Sequence, residues 1–560
     1  MAKRYTLHET VEFLLDSSEN ENLEDSEPED SEPEDCNPPE EEDEDNQESE
    51  DDFEEADADQ TLISKNGQIT WSTIPPPQRP GRSPAAQVIK LTPGPTRYAC
   101  SRVEDIKSSF LLFFPSCIQS ILVEMTNLEG RRVYGADWRD VDWTDMEAYI
   151  GLILLAGVYR SKNENLESLW DAQTGRAIFG AVMPLKKFKI FSRVIRFDDK
   201  ATRPARREND KLAPIRDLWN SWVERLPMMF NPGPNITVDE CLVSFRGRCM
   251  FKQYMPNKPA KYGIKIWAAC DAKTSYAWSM QIYTGKPRDG PPERNQGMRV
   301  VLDLTTGLQG HTVTCDNFFT SYALGQELLK RKMTMVGTVR RNKPELPSAL
   351  LTTRDRAVHS SLFAFTETHS LVSYCPKRHR NVLLMSTCHK DAKISDREDR
   401  KPEVILDYNR CKGGVDNLDK MVASYSCKRK TNRWPMVVFS TILDVSAINA
   451  FVVWREINPS WERGKSTQRR IFLEQLGKAL VSPLMERRQH LPRAPASASI
   501  LKRQWDSSNA PGPSTEPQPK RTRCQVCPRA KDAKTDKQCV ICKRAICAAH
   551  TVFFCQKCVE

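Results

Sequence analysis

At Asn235 the hydrophobic period of this chain changes, and that change limits what the chain can fold into. Before it, residues 101–234 carry a helical pattern. "DMEAYIGLILLAGVYR" wraps apolar side chains around most of a helix, which demands deep burial. "PLKKFKIFSRVIRF" sets cations against apolar residues at three-to-four spacing, an amphipathic helix whose basic face suits solvent or a phosphate backbone. After Asn235, "NITVDECLVSFRG" and "YGIKIWAACDAKTSYAWSMQIYTG" alternate and are rich in β-branched and aromatic residues, the signature of strands. "HTVTCDNFFTSYALGQELL" runs from strand into helix, "KMTMVGTVRR" is a further strand, and "EVILDYN" reads as another strand leading to the helix that opens "GGVDNLDKM". Strands interleaved with helices predict an α/β core. The choppier stretch after Arg341, with pieces such as "SLVSYCP", predicts an insertion into it.

The flanks are charged very unequally. Residues 1–60 hold 27 Asp and Glu against 2 Lys and Arg, whereas the other 500 residues hold 80 cations against 47 anions. An acidic tail on a basic body predicts a polyanionic partner, most commonly nucleic acid. Residues 1–95, with "EDSEPEDSEPED" and "PPPQRPGRSP", lack the apolar surface to offset ordering entropy and are expected not to fold. The start, "MAKRYTLHETVEF", has no secretory pattern. Pro435–Trp454 is about as long as the ~20 residues of a spanning helix. Asp444 and Asn449 lie inside it, so a buried core helix and no membrane partner are expected. Residues 487–523 read as a linker whose clusters, Lys502-Arg503 and Lys520-Arg521 with Arg523, suit a nuclear signal.

Three aspartates occupy matching kinds of place. Asp239 lies in the "ITVDECLVSF" strand, Asp316 ends the "TVTCD" strand, and Asp416 sits near a helix N-terminus with Asp419 three residues on, on nearly the same face. Taken singly, each has a bland role, as dipole partner, cap or solvent-facing strand residue. Together in one α/β region they suggest convergence, and crowded carboxylates repel unless a divalent cation sits among them. Oxygen ligands suit Mg²⁺ or Mn²⁺, and two such ions about 3.5–4 Å apart hold both oxygens of a phosphodiester displacement. The following cations, Lys428, Arg429, Lys430 and Arg433, are then candidates for the DNA backbone. No GxxxxGK[ST] loop is present, so the chemistry is expected to need no ATP.

The motifs "TVDECLVSFRGRCMFKQYMPNKPAKYGIKIW", "VTCDNFFTS", "VGTVRRNKPELP", "YNRCKGGVDNLDKM" and "KRKTNRWPM", in this order, resemble the piggyBac family of DNA transposases. The resemblance implies an RNase H-like catalytic core with a metal-binding triad at Asp239, Asp316 and Asp416 and Asp419 as an additional acid. It implies a core in two parts (235–341 and 402–425) around a small β insertion domain (342–401). It also implies a split helical dimerisation and DNA-binding domain (96–234 and 426–486), and hence a homodimer. The implied activity is cut-and-paste transposition through hairpin ends into TTAA targets, and Trp434 matches a family aromatic near distorted target DNA. The rival expectation is a host-adopted DNA-binding protein that has lost the chemistry.

Residues 524–560 read Cys524-x2-Cys527-x11-Cys539-x2-Cys542-x4-Cys547-x2-His550-x4-Cys555-x2-Cys558. Eight ligands in pairs suit two tetrahedral Zn²⁺ ions, without which so small a segment would not fold. Spacing alone does not settle the pairing. A cross-braced arrangement, which the family resemblance implies, joins Cys524, Cys527, Cys547 and His550 on one ion and Cys539, Cys542, Cys555 and Cys558 on the other. A RING- or PHD-like module is the alternative; His550 falls sixth among the ligands, where a PHD finger has its histidine fifth.

Overall fold

The computed structural model describes residues 61–77, 88–256, 258–285 and 293–508, and in the C-terminal segment 522–528, 530–531, 533–535, 537–538, 542 and 544–551. Two compact units divide the chain, Met1–Leu484 and Met485–Glu560.

The first unit is built on an 11-stranded mixed sheet. Its strands are β1 (Thr61–Ile63), β2 (Thr70–Ser72), β3 (Asn235–Ser244), β4 (Tyr262–Asp271), β5 (Ala277–Ile282), β6 (Thr312–Cys315), β7 (Thr334–Thr338), β8 (Ser361–Phe365), β9 (Ser370–Lys377) and β10 (Arg380–Ser386), with the two-residue Gln253–Tyr254 beside β4. In space they run β1-β2-β8-β9-β10-β7-β6-β3-β4, with β5 on β4. Only the central pairs β3–β6 and β6–β7 are parallel. β4 is buried at every position from Gly263 to Asp271. Since alternate strand residues face opposite sides, the sheet is covered on both faces there.

The helices include α1 (Ser116–Tyr134), α2 (Trp143–Val158), α3 (Leu185–Val194), α4 (Gln296–Leu304), α5 (Tyr322–Lys330), α6 (Glu403–Cys411), α7 (Gly414–Tyr425) and α8 (Trp434–Ile457). α8 is long and apolar enough to cross a membrane, yet 94% of its apolar window is buried against the rest of the chain. Its polar residues are satisfied inside the protein. Asn449 pairs with both backbone groups of Ala277 at 2.9 Å, and Asp444 accepts from the Cys427 amide (2.9 Å) and the Ser426 hydroxyl (2.6 Å).

Besides the expected linker at 487–523, in which Pro495–Ser508 is a helix, three expectations change. "EVILDYN" is not a strand: it forms helix α6 after Pro402, whose fixed φ of −54° suits a helix start. Val404 and Ile405 are buried against Val336, Val372, Tyr374 and Leu384, with Tyr408 one turn further on the same face. So short an apolar run carries no decisive period. Second, residues 61–77 lie inside the segment expected not to fold, but β1 and β2 make a hairpin on the sheet edge through Ser72 opposite Phe365. Trp71 holds it there, fully buried, with its indole N–H donating to the Glu345 carbonyl at 3.1 Å. The acidic average of the segment hid this local anchor. Third, the strands of the expected insertion, β8–β10, continue the central sheet, since β10 pairs with β7 through Val336 and Ser386.

Candidate active site

Asp239 and Asp316 lie side by side because of register. In the parallel pair, Val238 stands opposite Cys315, so the next residue on each chain is one of the two aspartates. Neighbouring strands are about 4.8 Å apart. Asp239 accepts the Glu240 amide at 2.7 Å, and Asp316 accepts the Phe318 amide at 2.9 Å in the turn that follows β6. Burial first, and then the charge of Asp316, push Asp239 up to about 7. Burial and Glu240 raise Asp316 as well.

Helix α7 brings the remaining acids to this edge. The short α6–α7 turn is docked on β3 two residues before Asp239: the Thr237 hydroxyl donates to the carbonyl of Cys411, the last residue of α6, at 2.6 Å. A Cβ on Gly414 would lie 2.4 Å from the Thr237 hydroxyl oxygen, so only glycine lets the helix start this close. Asp416 is exposed on the first turn, and Asp419 is half-buried one turn on. Burial raises Asp419.

One cation faces this whole group. Lys258 feels Asp239, Glu240, Asp416 and Asp419 together, which outweigh its burial and raise its pKa. Its ammonium donates to the Glu240 carbonyl at 3.2 Å, and Lys265 pairs with the Glu240 carboxylate at 2.9 Å. Sequence reasoning passed over Lys258, although it lies in the quoted "MPNKPAKYG"; nothing in a loop lysine marks it before the fold closes. The donor set fits divalent Mg²⁺ or Mn²⁺: all oxygen and mutually repelling, with Asp239, Asp316 and Asp419 raised in pKa, which a cation would relieve. These carboxylates do not all fall within 4.8 Å of one another as the C-terminal thiols do. An ion pair about 3.5–4 Å apart spreads its ligands more widely than one tetrahedral ion does.

A sequence profile described as Transposase IS4 matches residues 107–451. A cryo-EM structure of the piggyBac transposase synaptic complex with hairpin DNA is similar at 35% identity and a TM-score of 0.69, over 83% of this chain and 100% of that one. This chain belongs to the piggyBac family of transposases. Two human proteins are more distant. PiggyBac transposable element-derived protein 3 is 25% identical over 314 residues, 52% of this chain and 51% of that protein. PiggyBac transposable element-derived protein 2 is 20% identical over 393 residues, 63% of each. The chain thus spans about half the length of the first of these relatives.

In this piggyBac-family chain the basic segment after α7 is turned mostly inward. Arg433 is half-buried and donates to the carbonyls of Ser192 (3.1 Å), Arg193 (3.3 Å) and Ile195; desolvation holds it down to about 9. Arg429 donates to the carbonyls of Ser161 (2.9 Å) and Glu164 (2.5 Å), and Lys428 to the carbonyl (2.5 Å) and hydroxyl (2.7 Å) of Ser244. Trp434 is 6% exposed and meets Phe251 edge-on at 5.0 Å, so it heads a core helix here and presents no face for a base to stack on. Of the four cations expected on DNA, Lys430 is the exposed one. The basic face of α3 is also engaged: Lys187 pairs with Asp145 at 2.7 Å and Lys189 with Glu167.

In the second unit, Cys524, Cys527, Cys547 and His550 converge. Cys527 lies 3.6 Å from Cys547 and 3.5 Å from His550 Nδ1, and Cys547 lies 3.3 Å from that nitrogen. A tetrahedral zinc with Zn–S bonds of about 2.3 Å has edges of roughly 3.5–3.8 Å, so the group can hold one zinc ion. This is the first quartet of the cross-braced pairing. For the second, Cys542 is exposed, and Cys539, Cys555 and Cys558 lie outside the described residues.

Proposed function

We propose that this chain is a cut-and-paste transposase: it cleaves DNA at transposon ends and joins the freed 3′ ends to TTAA targets. The observation that carries this is the placement of Asp239 and Asp316 at adjacent positions of parallel strands, with α7 adding Asp416 and Asp419. The strand order β5-β4-β3-β6-β7 around them, with β4 alone antiparallel to the other four, supports an RNase H-like core.

In this reading Asp239, Asp316 and Asp416 hold two Mg²⁺ or Mn²⁺ ions, with Asp419 as an additional acid. Bound there, the ions would activate the attacking oxygen and stabilise the leaving one. The protein itself supplies rigidity and charge balance. Thr237 fastens the start of α7 to β3, and Lys258 offsets part of the negative charge that an approaching phosphate would otherwise meet. Hydrolysis frees a 3′ hydroxyl, which attacks the opposite strand, closing a hairpin and expelling the flanking strand's 3′ oxygen; a second water opens the hairpin and returns the 3′ hydroxyl that attacks the target phosphodiester. Each joining step exchanges one phosphodiester for another, so no ATP is consumed. The C-terminal zinc-binding segment, with two ions at full occupancy, would recognise the terminal repeats, and the protein would act as a homodimer in the nucleus.

An excision assay on a reporter flanked by the element's own repeats tests this, comparing wild type with Asp316→Ala. Excision by wild type that Asp316→Ala abolishes is the expected result. Excision that survives the substitution refutes the metal assignment. No excision by wild type, with repeat binding retained, favours the reading of an adopted DNA-binding protein, a reading consonant with relatives named as transposable element-derived.

A further inference from the structure

Where α2 and α7 end side by side, an open pocket of about 420 Å³ is lined by Gly157, Arg160, Lys162, Ala423, Ser424 and Ser426. The helices approach closely because residue 157 is glycine: a Cβ there would lie 2.4 Å from the Tyr425 carbonyl oxygen. Four cations gather around this point. The guanidinium groups of Arg160 and Arg469 each lie 5.3 Å from the Tyr425 ring centroid. Lys162 stands near enough to Lys428 for their repulsion, added to burial, to hold Lys428 below the usual lysine range.

Such a gathering needs a reason. Two helix C-termini contribute about one negative charge between them, and Asp444, which attracts Lys428, contributes at most one more. Four cations against roughly two negative charges leave a surplus of about two. Among the described residues no carboxylate lies within ion-pair distance of Arg160 or Lys162, and the buried Nε of Arg469 has no hydrogen-bond partner. The φ of 55° at Arg160 belongs to the cap of α2, where the Arg160 and Ser161 amides donate back to the Gly157 and Ala156 carbonyls. The charge surplus and the unpartnered Nε of Arg469 point to an anion.

We infer that Arg160 and Lys162, supported by Lys428 and Arg469, form a phosphate-binding site for the DNA strand that leads into the aspartate cluster. The inference rests on the transposase reading and adds the path of the strand to it. One helix connects the two sites: Ser424 follows Asp416 by eight residues on α7, about 12 Å along the axis. That is three to four phosphate steps at about 3.4 Å per phosphate. Lys428 ties the pocket to the other wall, since it is bonded to Ser244 at the end of β3, the strand that bears Asp239. A strand held here would be presented to the carboxylates in a fixed register, which the inward-turned Arg429 and Arg433 do not provide.

The test is the salt dependence of DNA binding by the full-length, zinc-loaded protein. A labelled duplex containing TTAA is titrated by fluorescence anisotropy over a KCl series. Each phosphate contact contributes about 0.9 to the slope of log K against log salt. Arg160→Gln/Lys162→Gln is expected to lower that slope by about 1.8 and the affinity near 0.1 M salt by roughly 60-fold. Lys162→Gln alone changes an exposed side chain and should not disturb folding; it is expected to lower the slope by about 0.9. Lys273→Gln, exposed at the β4–β5 turn, should leave the slope unchanged. Wild-type slopes in both pocket variants would overturn the inference and leave the transposase reading standing. Absence of salt-dependent DNA binding by wild type would overturn both. If inorganic phosphate raises the melting temperature of wild type but not of the double variant, while the DNA slope is unchanged, the pocket binds free anions and the strand assignment is wrong.

Discussion

Gly414→Ala probes the joint on which the aspartate cluster depends. The new methyl would lie 2.4 Å from the Thr237 hydroxyl oxygen, 2.9 Å from Thr237 Cβ and 3.3 Å from Ala272 Cα. Thr237 is 2% exposed and bonded to the Cys411 carbonyl, so it has no room to turn away. Either α7 moves off β3 or the Thr237 hydrogen bond breaks. Overpacking costs about 1–3 kcal/mol, and a loosened buried hydrogen bond adds about 1 kcal/mol. Alanine returns up to about 1 kcal/mol of helix propensity. A net loss of about 1–3 kcal/mol is therefore expected, read as a lowered urea midpoint at constant slope. Thr237→Ala removes the closest contact, so the double variant should be less damaged than the sum of the single ones, by about 1 kcal/mol. Excision should fall further than the stability loss explains, because Asp416 and Asp419 move with the helix. A Gly414→Ala protein with wild-type stability and excision would refute the claim that this contact positions the acids.

Arg433→Ala should destabilise the protein by about 3 kcal/mol in the same urea assay, because three carbonyls at the end of α3 lose their donor; a neutral result would return Arg433 to the pool of DNA contacts. His389 lies 3.0 Å from Asp407, and although burial disfavours its charge, Asp407 and Cys388 push it up to about 10. Its folded pKa exceeds the unfolded one, so its contribution is full below about 6.5 and lost as pH rises through about 10. The stability gap between wild type and His389→Gln should shrink over that window, and a gap independent of pH would refute the pairing. Asn449→Ala strands both backbone groups of Ala277 in the core and should cost about 2–4 kcal/mol. Metal analysis should find zinc in the purified protein, falling by about one ion per chain in Cys547→Ala; unchanged zinc would exclude Cys547 as a ligand.

How much of this could be read from the chain depends on the range of the interaction involved. The aspartate positions were legible because Asp316 and Asp416 sit at local boundaries, a strand end and a helix start, and Asp239 lies inside a strand that its alternation marks. The first zinc quartet was legible for the same reason, as ligand pairs at short spacing. Helix α6 was not, because seven residues of mixed pattern carry too little period to oppose a strand-like composition. Nor was the hairpin at Trp71, since its hydrogen bond reaches across 274 positions to Glu345. The basic run from Lys428 to Arg433 misled for a related reason: charge is local, but the carbonyls that take up Arg429 and Arg433 come from segments some 240–270 residues earlier.

The order of amino acids by itself determined most element types, the acids and thiols available for chemistry, and the split between acidic tail and basic body, all of which rest on neighbours a few residues apart. Tertiary structure decided which of those groups meet. Strand register set Asp239 beside Asp316, two glycines let α7 lie against β3 and α2, and folding chose which cations are consumed as internal donors and which stay exposed. Pairing and close approach depend on distances in space, and no local pattern in a chain encodes those.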